Sequence, residues 1–140
     1  AKTDGFADRL KARIDSLGLV HDIVFTGFRS DLPRCLKAID IACVPSVNEA
    51  FGLSVVEAMA AGCPVVGSAS GAIPELIASE RGCTDPPGAP GALAATMSEL
   101  IADESLRSAL GENASKWVYH RFCLERHVQN LGSFYIKSLG

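Results

Sequence analysis

IACVPSVNEAFGLSVVEAMAAGCPVV, residues 41–66, decides the fold. It opens on a short apolar run, Ile41 to Val44, closed by Pro45. It ends on a second, Pro64-Val65-Val66. Continuous apolar runs of this kind are the pattern of strands buried on both faces, as in parallel sheets. Between them Leu53 to Ala61 reads as a helix, with Gly62 as its stop. Strand, helix and strand in that order form a parallel crossover unit. One feature sits oddly in it. Glu49 and Glu57 are the only charged side chains between Ile41 and Pro74. A carboxylate in apolar surroundings is costly unless hydrogen bonded.

The flanks extend the pattern. Phe6, Leu10, Ile14 and Leu17 recur at helical spacing, with Gly18 at the stop. Asp22 to Thr26 reads as a strand ending at Gly27. Asp31 to Ala38 reads as a short helix with Pro33 in its first turn. Ile73 to Ala78 is a short helix, and Cys83-Thr84 a weak strand. The loop DPPGAPG, residues 85–91, then changes the character of the chain. Three helices follow, over Ala92–Ile101, Leu106–Tyr119 and Leu124–Leu139. The expectation is an α/β fold: a Rossmann-like, doubly wound parallel sheet with a helical C-terminal tail. It is read as a single domain over 1–140, α/β over 1–85 and helical over 86–140.

Composition narrows the function. The chain has 140 residues, 48% apolar and 21% charged, with net charge −3. No basic run is present, which argues against a nucleic-acid partner. Five cysteines lack C-x-x-C spacing, so neither a disulfide framework nor a zinc site is expected. Cys43 and Cys63 read as small buried apolar side chains. His21, His120 and His127 are scattered surface positions, without metal-ligand spacing. No run reaches the ~18 apolar residues of a membrane span. The charged, amphipathic start does not read as a signal peptide. The expected location is cytoplasmic, with the inner face of a membrane open to the parent protein. No G-x-G-x-x-G follows a strand, which disfavours a dinucleotide-dependent dehydrogenase.

Two readings of the glutamates stand side by side. Ser54-Val55-Val56-Glu57 fits S-x-x-E, a capping box in which Ser54 caps the helix and Glu57 bonds back to its amide. Glu49 is then a solvated loop residue. In the other reading, free amides from Phe51 to Ser54 and the positive helix end hold a diphosphate. Gly52 lets it approach the backbone. The two carboxylates accept from vicinal hydroxyls of the sugars on either side.

Pro45-Ser46-x-x-Glu49-x-Phe51-Gly52-Leu53-x-x-x-Glu57-Ala58-Met59-Ala60-x-Gly62-x-Pro64-Val65-Val66 resembles the signature of retaining glycosyltransferases of group 1, or family 4, including their E-x7-E motif. Val24-Phe25-Thr26-Gly27-Phe28, Ala38-Ile39-Asp40, Gly71-Ala72-Ile73-Pro74-Glu75, Pro86-Pro87-Gly88 and LRSALGEN (106–113) resemble further family landmarks. The resemblance implies half of a GT-B fold, the part that binds a UDP- or GDP-type sugar donor. It casts Glu57 as holding the ribose hydroxyls, and Glu49 as holding the transferred sugar near the reaction centre. Ala50, Phe51, Gly52 and Leu53 become the backbone meeting sugar and diphosphate, and Gly27 and Phe28 the turn against the base. It implies retention by front-face attack, with no metal and no other cofactor.

Departures are also expected. The family's G-R-x5-K strand and its amino-terminal, acceptor-binding domain would lie before residue 1, so this segment alone is expected to be inactive. Uncovered surface would then invite a homodimer, with Phe134, Tyr135 and Ile136 on the last helix among the apolar residues left bare. Ala72 replaces a usual glycine, Asp85 interrupts a usually apolar strand, Ala89 replaces a usual aspartate and Ser115 a common arginine. The alternative function is a non-catalytic domain that binds a sugar nucleotide or a partner protein.

Overall fold

The computed structural model describes residues 5–139, in two compact units, Ala1–Ser30 and Asp31–Gly140.

In the first unit α1 spans Phe6–Ser16. It ends where expected: the Gly18 and Leu19 amides turn back onto the Asp15 and Ile14 carbonyls, and Gly18 takes φ 69°. The apolar stripe behaves differently from its reading. Ile14 is buried, but Phe6, Leu10 and Leu17 are exposed. The strand expected over 22–26 does not form. Val24 is 82% and Phe25 56% exposed, and among the described residues the segment has no ladder partner.

The second unit holds a three-stranded parallel sheet of β1 (Ala42–Val44), β2 (Val65–Ser68) and β3 (Gly82–Asp85), in the order β1-β2-β3. Register is Ala42↔Val65↔Gly82 and Cys43↔Val66↔Cys83. Six helices surround it: α2 (Leu32–Leu36), α3 (Leu53–Ala60), α4 (Ile73–Leu76), α5 (Pro90–Ala102), α6 (Glu104–Phe122) and α7 (Leu124–Leu139). Side chains alternate across a strand, and the core divides accordingly. Ala42 and Val65 pack with Val55 and Met59 of α3, Ile73 of α4, and Ala114 and Val118 of α6. Val66 packs on the other face with Leu100 and Leu110. The sheet is therefore covered on both faces, the doubly wound arrangement the sequence implied.

The weak strand at 83–84 is a full four-residue strand. Helix α6 begins earlier than its periodicity suggested, because the Asp103 carboxylate caps it, accepting from the Leu106 amide at 2.8 Å. Cys63 is buried as expected, and burial pushes its thiol up from the ordinary value. Cys43 is a correction: it is exposed, because β1 is an edge strand of this sheet. On α7, Leu124, Val128, Phe134, Tyr135 and Ile136 are all exposed.

Candidate functional site

β1 delivers the chain at the carboxyl end of the sheet, where open α/β sheets bind ligands. The loop from Pro45 to Gly52 lies there, and the next crossover holds it. Ser68 Oγ donates to the Ser46 carbonyl. The Asn48 amide donates to Ser70 Oγ at 3.1 Å, and the Ala72 amide to the Glu49 carbonyl at 2.9 Å. Asn48 takes φ 59°, a left-handed conformation that asparagine tolerates better than most residues. Gly71, at φ 59°, lies against the Glu49 backbone: an added Cβ would stand 2.6 Å from the Glu49 nitrogen. This turn needs a glycine at 71 and only there, so Ala72, at φ −79°, fits without strain.

Gly52 ends the loop as the N-cap of α3, buried at φ 89°. An added Cβ there would meet Leu76 Cδ1 at 2.8 Å and lie 3.7 Å from Glu49 Cγ. The stem of Glu49 therefore lies beside the start of α3. That start has no side-chain cap. The capping-box reading is corrected here: the left-handed Gly52 begins the helix at Leu53, so Ser54 lies inside it and caps nothing. The first amides of α3 are left for another acceptor.

The two glutamates are not sealed in an apolar core. Glu49 is half-buried and Glu57 exposed, which removes the burial cost posed by their neighbours. Among the described residues neither carboxylate has a hydrogen-bond or ion-pair partner. Glu57 lines a groove of about 440 Å³ with Leu32, Leu36 and Lys37 on one side and Ala60 and Tyr119 on the other. Ala50, Phe51 and Leu53 are exposed around Glu49. Gly27 and Phe28 belong to the first unit. Gly27 takes φ 63°, the conformation its turn requires, and Phe28 is 97% exposed.

Some of the contacts that hold the site have no counterpart in the sequence reading. Ser68 and Ser70 tether the loop from 22 residues away, and short polar side chains carry no local signal of that role. Phe51 packs edge-to-face on Phe122 at 5.9 Å, and Phe122 on Trp117 at 5.5 Å, so the loop is also tied to α6. Asp85 binds the Thr96 hydroxyl through Oδ1, while its buried Oδ2 has no partner among the described residues. Its charge and partial desolvation raise the Cys43 and Cys83 thiols, desolvation being the larger cause. Among the described residues no three His, Cys, Asp or Glu side chains group as a metal site.

Comparison with known proteins agrees with this geometry. The family model "Glycosyl transferases group 1" matches residues 5–117. The lipopolysaccharide core biosynthesis mannosyltransferase LpcC of Rhizobium leguminosarum bv. viciae is 39% identical over 136 residues, 96% of this chain and 39% of that protein. The D-inositol 3-phosphate glycosyltransferase of Salinispora arenicola is 35% identical over 86% of this chain and 27% of that protein. Anabaena Alr3699/HepE, solved in complex with UDP, superposes with TM-score 0.91 at 30% identity, covering 94% of this chain and 37% of that one. The C-terminal domain of the group 1 glycosyl transferase LpcC from Francisella tularensis superposes with TM-score 0.78 at 31% identity, covering 86% and 64%. The chain thus spans well under half the length of the two relatives.

Proposed function

The chain belongs to the glycosyl transferases group 1 family, and on that premise we propose that it is the donor-binding half of a retaining glycosyltransferase, which moves a hexosyl group from a nucleoside diphosphate to an acceptor. The observation that carries the reading is the loop from Pro45 to Gly52, tethered at Ser46, Asn48 and Glu49 and delivering the Glu49 stem to an uncapped helix start. The α3 amides and the helix dipole hold the diphosphate and stabilise the charge that grows on it as the sugar leaves. No metal is needed for that role. Glu49 accepts from hydroxyls of the transferred sugar and supports the charge that develops at its anomeric carbon. Glu57, one turn down α3, accepts from the ribose diol. A mobile or buried loop would not serve, since transfer depends on holding reactants in one geometry.

The acceptor is bound by a further domain, consistent with the fraction of its relatives that this chain spans, and the chain alone is inactive. The apolar face of α7 packs on that domain; in its absence it pairs with a second copy. The parent enzyme works in the cytoplasm. HepE's complexes with UDP and with UDP-glucose support a nucleotide-sugar ligand for this fold. A non-catalytic sugar-nucleotide domain would share the binding and lack the transfer.

The test is calorimetric titration with uridine, guanosine and adenosine diphosphates, then with their sugar conjugates. Saturable binding to one base series is expected. Absence of binding to every series, in this chain and in one extended through a G-R-x5-K strand, would remove the reading.

A further inference from the structure

Ala50 and Phe51 of the same loop also line a second hollow. It has a volume of about 250 Å³ and lies between Ala50 and Phe51 of the loop, Glu75 of α4, and Trp117, Arg121 and Phe122 of α6. Three of these six are aromatic, and they hold one another edge-to-face. Arg81 covers one side of the Trp117 ring at 4.3 Å, so Trp117 meets the hollow with the surface that remains. Glu75 and Arg121 are exposed, and among the described residues neither side chain has a hydrogen-bond or ion-pair partner. The hollow therefore offers a carboxylate that can only accept, a guanidinium that can only donate, and ring surface between them.

That set selects a chemistry. A purely apolar ligand gains nothing from either ion, since both are in reach of water. A phosphate is repelled by Glu75, and an alkylammonium by Arg121. A sugar ring satisfies all three: its hydroxyls donate to the carboxylate and accept from the guanidinium, and its C–H face lies on aromatic surface. The volume is on the scale of one ring rather than of a drug-sized ligand. We propose that this hollow is a saccharide subsite, which holds a hexopyranose unit of the acceptor beside the donor loop. The inference rests on the reading of the chain as a sugar-transferring domain. It adds that part of acceptor recognition is carried here, by Glu75, Arg121 and the aromatic cluster.

The chain has one tryptophan, which lines this hollow and another beside Arg81 and Lys116, so its emission reports a bound ligand and the Glu75 and Arg121 variants assign it to this hollow. The probes are methyl α-glucopyranoside, methyl α-mannopyranoside and methyl α-galactopyranoside, with glycine as a zwitterion that also carries a donor cation and an acceptor anion. At least one glycoside is expected to change Trp117 emission saturably in the millimolar range. Glu75→Gln and Arg121→Gln, both at exposed positions, should each weaken that response about tenfold, the effect of one charge-assisted hydrogen bond. No saturation with any glycoside, an affinity in both variants unchanged from that of the unsubstituted chain, or a response to glycine alone would overturn the subsite. Calorimetry with nucleoside diphosphate on the same sample separates the two readings. Nucleotide binding with a silent Trp117 removes the subsite and leaves the donor site. A glycoside response without nucleotide binding keeps a saccharide-binding hollow but removes the donor site, and with it the acceptor role proposed for the hollow.

Discussion

Two stretches of this chain carry recognisable sugar-transferase landmarks and have opposite fates. The loop from Pro45 to Gly52 is pinned by three hydrogen bonds to residues 68–72 and shaped by left-handed Asn48 and Gly52. The stretch from Asp22 to Phe28 runs from a turn to a bend, is exposed throughout and joins no ladder among the described residues. The difference is not apolar content, since Ile23, Val24 and Phe25 are as strand-like as Val65 and Val66. It is the presence of partners. A motif takes its shape where the segments it bonds to are at hand, and a strand has no shape to take without a neighbour.

The comparison can be broken most forcefully at Gly71. Gly71→Ala places a side chain against the Glu49 backbone at a positive φ. Strain and overpacking together should cost about 3 kcal/mol, read as a lowered midpoint in urea, with nucleotide binding lost as the loop shifts. Full stability in this variant would mean that the tether is not what holds the loop.

Glu57→Gln sharpens the contrast between support and function. The carboxylate is exposed and caps nothing, so the melting temperature should not move. Nucleoside diphosphate affinity should fall by about 2 kcal/mol, the scale of a charged hydrogen bond. A lower melting temperature with unchanged affinity would revive the capping role. Ser70→Ala should cost about 1 kcal/mol of stability, by leaving the Asn48 amide without its acceptor. In the other stretch Phe28→Ser, at a side chain 97% exposed, should change stability by less than about 0.5 kcal/mol. A large loss there would show that residues 22–28 are packed in solution.

What could be read ahead of the structure follows the same division. The strand, helix and strand of residues 41–66 appear close to their expected bounds, because Pro45, Gly62 and two apolar runs punctuate them locally. The helix over Leu124–Leu139 matches its expected span. The capping box at Ser54 misread one residue: the glycine that starts α3 outranks a serine two positions later. The tethers Ser68 and Ser70 were out of reach, since a hydroxyl's partner across 22 residues leaves no periodicity behind. Cys43 was taken for a core residue because its neighbours are apolar, yet an edge strand leaves it exposed. Glu49 and Glu57 stood out from the start as lone charges. That the first lies beside an uncapped helix start, and that the second is in water, needed coordinates.

In the proposed function the pinned loop presents Glu49 to the sugar of the donor. The most direct test of this is the affinity of Glu49→Ala for a nucleoside diphosphate and for that nucleotide's sugar conjugate, measured side by side. The account predicts a clear loss for the conjugate, about tenfold for one charge-assisted hydrogen bond, with the bare diphosphate unchanged. Equal losses for the two ligands, or none for either, would contradict it.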